Sequence, residues 1–159
     1  MNKKVSLMFV AAIVIAAAAF LVAEEKPWLD MANCDFCKPW TENGLMTVVA
    51  QEQVPISNGA LCLSTVPEAR MAEYKKTSAL MNEIADKATK GEPVKMCGSC
   101  ETMGSFFMRG AKMEEAWTKT GSVMLITSSD STVVADIHKW VKKNDEEFAK
   151  MMKPAADTK

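Results

Sequence analysis

Two short cysteine pairs carry the chemistry this chain offers. Cys34-Asp35-Phe36-Cys37 and Cys97-Gly98-Ser99-Cys100 each set two thiols two residues apart, a spacing that lets both sulfurs reach one tetrahedral ion or one another. Four thiolates from two such pairs make a closed site that favours zinc and also suits a softer ion such as copper(I). Between Cys37 and Cys97 lie 59 residues, far more than the roughly 15–20 of a zinc ribbon. A shared site must therefore be assembled by the fold. Three readings follow from the spacing. The first is soft-metal binding, of zinc or copper, through Cys34, Cys37, Cys97 and Cys100. The second is a thiol-disulfide oxidoreductase in which Cys97 attacks and Cys100 resolves. The third is an interaction domain whose four cysteines are tied in structural disulfides.

Other residues of the same chemical kinds have simpler roles. Cys62 stands between Leu61 and Leu63, where a thiol reads as a small buried apolar group. His138 is the only histidine, so no histidine cluster exists, and its helical spacing from Val134 and Val141 puts it at the border of an apolar stripe. Met96 and Met103 bracket the second pair and are candidate accessory ligands through their thioethers, whereas Met71, Met81, Met124 and Met151 fall at core positions. Met96 followed by the second pair is similar to the Met-x-Cys-x-x-Cys of copper-chaperone domains, but it abuts Cys97 directly, one residue off that pattern. Cys97-Gly98-Ser99-Cys100 resembles the thioredoxin active-site tetrad with serine in the proline place. That fold needs a strand just before the motif and a later proline facing it. Gly91 to Met96 leaves little room for a strand, and the only later proline is Pro154, so the thioredoxin fold is excluded. No phosphate loop, dinucleotide fingerprint or Gly-x-Ser-x-Gly elbow occurs.

Compartment is suggested by the first residues. Met1-Asn2-Lys3-Lys4 is a cationic start, and Val5 to Ala23 then runs apolar with Ser6 its only polar member. This is the pattern of an export signal, cleaved after Ala19 or Ala23, or of an uncleaved N-terminal anchor. Either reading places the rest outside the cytoplasm, periplasmic or secreted, with membrane contact only through residues 5–23. No cysteine follows the apolar run directly, which excludes a lipoprotein signal. Loss of Lys3 and Lys4 with residues 1–23 would move the formal charge from −1 to about −3, which leaves no nucleic-acid footprint. About 136 residues remain, enough for one core without staples.

The elements that must position the cysteines come twice. Residues 24–44 read as a linker, a short helix opened by Pro27, and the first pair; residues 45–153 as an α+β domain; residues 154–159 as a tail. Leu45 to Ala50 reads as a strand continuing to Asn58-Gly59, a hairpin dipeptide, with Pro55 marking an edge or bulge. Ala60 to Ser64 returns as the partner strand. Thr65-Val66-Pro67-Glu68 has capping-box spacing before a helix carrying Met71, Tyr74, Met81, Ile84 and Ala88, which Gly91 and Pro93 stop. In the second half, Glu101 to Arg109 is a short helix closed by Gly110, Met113 to Lys119 and Ser122 to Thr127 are strands about a Thr120-Gly121 turn, and Ser128 or Asp130 caps a helix through Val133, Ile137, Trp140, Val141, Phe148 and Met151. Cys34 precedes Gly59 by 25 residues and Cys97 precedes Gly121 by 24. A duplicated hairpin-helix unit then predicts a four-stranded, mainly antiparallel sheet with two long helices on one face, an α+β sandwich of ferredoxin-like or related kind. Strand alternation is expected to turn Leu61, Leu63, Val123 and Leu125 toward the helices and Cys62, Met124 and Ile126 away from them. The second face is then too apolar for water, and either the cysteine segments or a second copy in a homodimer should cover it.

Overall fold

The computed structural model describes residues 26–152; the expected export signal or anchor and the tail lie outside them. Among the described residues no helix is long and apolar enough to cross a membrane. The chain forms α1 (Lys38–Glu42), β1 (Ala50–Ile56), β2 (Gly59–Thr65), α2 (Met71–Thr89), α3 (Gly98–Met108), β3 (Lys112–Thr118), β4 (Gly121–Thr127) and α4 (Ser131–Met151). One four-stranded sheet has the order β1-β2-β4-β3 with every neighbour antiparallel. This is the α+β class that two hairpins and two amphipathic helices require.

The duplication is exact to the residue in the sheet. Ala50 corresponds to Lys112 and Gly59 to Gly121, a constant offset of 62. In the central pairing Gly59 faces Thr127, Thr65 faces Gly121, and Cys62 faces its own counterpart Met124. A pseudo-two-fold axis therefore passes between Cys62 and Met124. The two turn glycines fill equivalent pinch points: a Cβ on Gly59 would lie 1.9 Å from the Ile126 carbonyl oxygen, and one on Gly121 1.8 Å from that of Ser64. Only glycine lets each hairpin start so close to the neighbouring backbone.

Alternation holds along β2 and β4, but in the opposite sense to that expected. Ala60 and Ile126 join Phe106, Val133, Ile137, Trp140 and Val141 in the main core, with Cys62 and Met124 packed against it. Tyr74 of α2 bonds Ser122 of the same face, hydroxyl to hydroxyl, at 2.8 Å. Both long helices thus cover the Cys62 face, and Leu61, Leu63, Val123 and Leu125 lie on the other. Both faces of the two central strands are apolar, so alternation alone does not fix which of them the helices cover. The helix-facing row is narrower because bulky Trp140 and Phe106 fill the space between the layers, edge to face at 6.1 Å.

Local corrections have local causes. Leu45 to Val48 turns back on itself, with Val48 and Val49 N–H donating to the Leu45 carbonyl at 3.1 and 3.0 Å; Leu45 and Val49 fill a second core with Val66 and Tyr74, and the strand starts only at Ala50. The Thr65–Glu68 capping box does not form: a 3-10 turn over Glu68–Arg70 leads into α2 with no side-chain cap. Asp130, by contrast, caps α4, accepting from Thr132 and Val133 N–H at 2.7 and 3.4 Å. Pro55 sits on an outer strand, as its missing N–H demands.

Candidate metal centre

The four cysteines predicted as ligands meet. The sulfurs of Cys34, Cys37, Cys97 and Cys100 all lie within 4.8 Å of one another. Cys37 Sγ is 3.7 Å from Cys97 Sγ and 3.8 Å from Cys100 Sγ. None is at bonding distance and all five cysteines of the chain are free, so structural disulfides are not the arrangement present. A tetrahedron of zinc–sulfur bonds near 2.3 Å has edges of about 3.8 Å, and the Cys37–Cys97 and Cys37–Cys100 edges match it.

Each pair is delivered by its own half. The Asp30 carboxylate accepts from Ala32 and Asn33 N–H at 3.2 and 2.9 Å, an Asx-type turn that brings the chain round to Cys34. Cys37 N–H and Lys38 N–H then donate to the Cys34 carbonyl at 3.1 and 2.9 Å, the tight turn that leads into α1. Cys97 is the N-cap of α3, and the 24- and 25-residue spacings to the hairpin glycines place the two pairs at matching positions of the repeat.

The halves are also stitched backbone to backbone beside the sulfurs. Asp35 N–H donates to the Lys95 carbonyl at 2.9 Å and its carboxylate accepts from Lys95 N–H at 2.8 Å. Gly98 and Ser99 N–H, two of the unpaired amides at the start of α3, donate to the Pro27 and Trp28 carbonyls at 3.0 and 2.9 Å. The helix expected from Pro27 to Ala32 is absent because those carbonyls serve α3 instead. Trp28 crosses so closely that a Cβ on Gly98 would lie 3.1 Å from its ring.

Behind this junction sits a polar cluster that the sequence reading missed. Asn144, 2% exposed, accepts from Trp28 Nε1 at 2.9 Å and from Ser99 Oγ at 2.8 Å, while its amide donates to Gln53 at 3.1 Å. Trp140 Nε1 donates to Ser99 Oγ at 3.0 Å. One visible signal existed: Asn144 continues the stripe Ile137, Trp140, Val141 at helical spacing, and a buried amide there must find partners. We expect Asn144→Ala to cost about 2–4 kcal/mol, because it strands Trp28, Ser99 and Gln53 together. A urea-unfolding difference under about 0.5 kcal/mol, the size of an ordinary surface substitution, would show that the cluster bears no weight.

Shared protons set the charge of the four thiols. Cys97 is held well below the ordinary thiol range, because it accepts from Cys100 first and then from Cys34 and Cys37. Cys34 is lowered to about 6, again chiefly by Cys100 and then by Cys37. A bond from Cys100 pulls Cys37 down, but its donation to Cys34 and Cys97 and its burial leave it raised. Cys100 is raised by donating to Cys34, Cys37 and Cys97 and by burial. The two lowered thiols, Cys97 and Cys34, thus come one from each half.

Cys62 and His138 lie outside the cluster. Cys62 stands outside the group of four, and burial pushes its thiol up to about 11, which suits an inert core group. Met103 packs against the main core and Met96 is half-buried directly before Cys97. His138 Nε2 lies 2.9 and 3.1 Å from the Ile56 and Gly59 carbonyls, tying α4 to the first hairpin.

Fold and site together define an α+β protein with a four-cysteine cluster able to hold a metal ion. Set against protein-family models, curated proteins and solved structures, the chain matches none of them.

Proposed function

We propose that this chain is an extracytoplasmic metal-binding protein that holds one soft ion, zinc or copper, through Cys34, Cys37, Cys97 and Cys100. The observation that carries this reading is the pair of sulfur–sulfur edges at 3.7 and 3.8 Å, the length that a tetrahedral zinc thiolate site needs. Four protein ligands leave no open position, so the ion serves to bind and to brace, with no water or substrate at the metal. Export rests on Lys3, Lys4 and the apolar run of residues 5–23. The oxidoreductase reading draws support from the lowered Cys97 thiol at a helix start. Against it, Cys97 is only 2% exposed, which keeps the attacking sulfur from any bulky disulfide.

The test is native and denaturing mass spectrometry of the purified chain, with thiol alkylation after denaturation. One ion per folded chain and five alkylatable thiols are expected; two disulfides and no ion would refute the proposal. Acidity supplies a second readout. Cys97 and Cys34 are already thiolates at neutral pH, whereas Cys37 and Cys100, both raised, must each give up a proton to the solvent when the ion binds. Affinity therefore rises with pH, by about 100-fold per unit near pH 7 for two protons released. Below about pH 6 Cys34 protonates too, and the dependence steepens. A pH-independent affinity between pH 6 and 8 contradicts this assignment.

A further inference from the structure

The sheet face turned away from the helices is apolar and open. Val54 on β1, Leu61 and Leu63 on β2, and Val123 and Leu125 on β4 share it, are each part exposed, and belong to neither core. Its charged side chains, Glu52 on β1 and Lys112 and Glu114 on β3, all stand on the two outer strands. An apolar centre with a charged rim is the layout of a protein interface.

We propose that a second copy of this chain covers this face, the two sheets stacking back to back about a two-fold axis. Size is the first argument. Seven-residue strands span about 23 Å and four strands about 19 Å across; with side-chain relief such a face removes about 600–700 Å² per copy from water. The total, about 1,300 Å², lies within the range of stable pairs.

Register is the second argument, and it favours a like partner. Glu52 shares a row with Leu63, Val123 and Ala116, and Glu114 shares the next row with Leu125, Leu61 and Val54. A two-fold axis parallel to the strands sets Glu52 over the other copy's Ala116 and Glu114 over its Val54. An axis across the strands sets Glu52 over Val54 and Glu114 over Ala116. In both arrangements acid never lies over acid, so each long carboxylate reaches solvent at the rim without repulsion from its symmetry mate. The cysteine segments pack on the helix side of the sheet, through Phe106 and Trp28. A back-to-back dimer therefore leaves two four-thiol sites facing outward, and the pairing holds whether or not an ion is bound.

Light scattering and sedimentation of the full chain as purified from cells test this. Twice the chain mass is expected at micromolar concentration, falling to a single mass in Leu63→Lys and Val123→Lys with the helical circular dichroism unchanged. Leu63→Ala, a milder change, should weaken pairing at least about tenfold, so a misfolded lysine variant does not decide the matter. A wild-type chain that stays single overturns the proposal, and so does a pair that survives every substitution. Pairing that appears only after residues 1–23 are removed would name the chain's own N-terminal segment as the occupant, and would equally overturn it.

Discussion

Under the proposed metal-binding reading, Cys97→Ser should weaken zinc binding on the order of 10²–10³-fold in a competition titration, about a quarter of the free energy of a four-thiolate site. The position is chosen for what the substitution spares. Cys97 is the N-cap of α3 with extended backbone angles, φ −74 and ψ 171, and serine is a favoured N-cap residue, so the helix and its circular dichroism should persist. What is lost is the buried sulfur that accepts from all three of its neighbours. Cys62→Ser is the matched control: this thiol lies outside the cluster, and its loss should leave the stoichiometry at one. An unchanged zinc affinity in the Cys97 variant would remove the basis for the four-cysteine site.

Chelation should lower the melting temperature by about 10–20 °C. An ion present at 1,000 times its dissociation constant stabilises the folded state by about 4 kcal/mol, and for a domain of this size each kcal/mol moves the midpoint by roughly 3–5 °C. The loss should be uneven across the molecule. Residues 26–42 lie outside the sheet and are held to the second half by the Pro27–Gly98, Trp28–Ser99 and Asp35–Lys95 hydrogen bonds together with the sulfurs. Hydrogen exchange should accelerate first at the amides of Asp35, Gly98 and Ser99, while β2 and β4 stay protected. A midpoint unchanged within about a degree on complete removal of the ion, small beside the expected shift, would mean that the ion braces nothing.

Much of this architecture was readable because the repeat writes each signal twice. The Asn58-Gly59 and Thr120-Gly121 turns, the two apolar strands that follow them, and the helical stripe from Val133 to Val141 each state their period plainly, and all appear where expected. The convergence of the cysteines was legible only as a condition: spacing says that each pair suits an ion, and the remote hydrogen bonds of Asp35 with Lys95 and of Gly98 and Ser99 with Pro27 and Trp28 bring the pairs together. What failed shares one cause, competition for backbone and space from remote residues. Pro27 and Trp28 give their carbonyls to α3 in place of a helix of their own. Leu45 and Val49 turn inward to meet Tyr74 in place of extending a strand. The two faces of β2 and β4 are both apolar, so hydrophobicity alone could not say which of them Trp140 would occupy. The role of Asn144 is hidden because an asparagine within a helix gives no sign of its partners, and here they come from positions 28, 53 and 99.

The split of the four sulfurs, two from each half of the repeat, has a consequence for how occupancy is governed. Neither cysteine pair can close a tetrahedron alone, so under the proposed metal-binding reading holding an ion and docking the first cysteine segment against α3 are linked equilibria, while the β2–β4 pairing keeps the halves together in either state. By reciprocity, whatever pries the cysteine turns apart loosens the ion by the same free energy with which the ion resists prying. An ion held there would be a gauge of tension between the two cysteine segments. A ligand or partner acting on α1 or on the Asp35–Lys95 stitch would be felt as release of metal, without ever touching a sulfur.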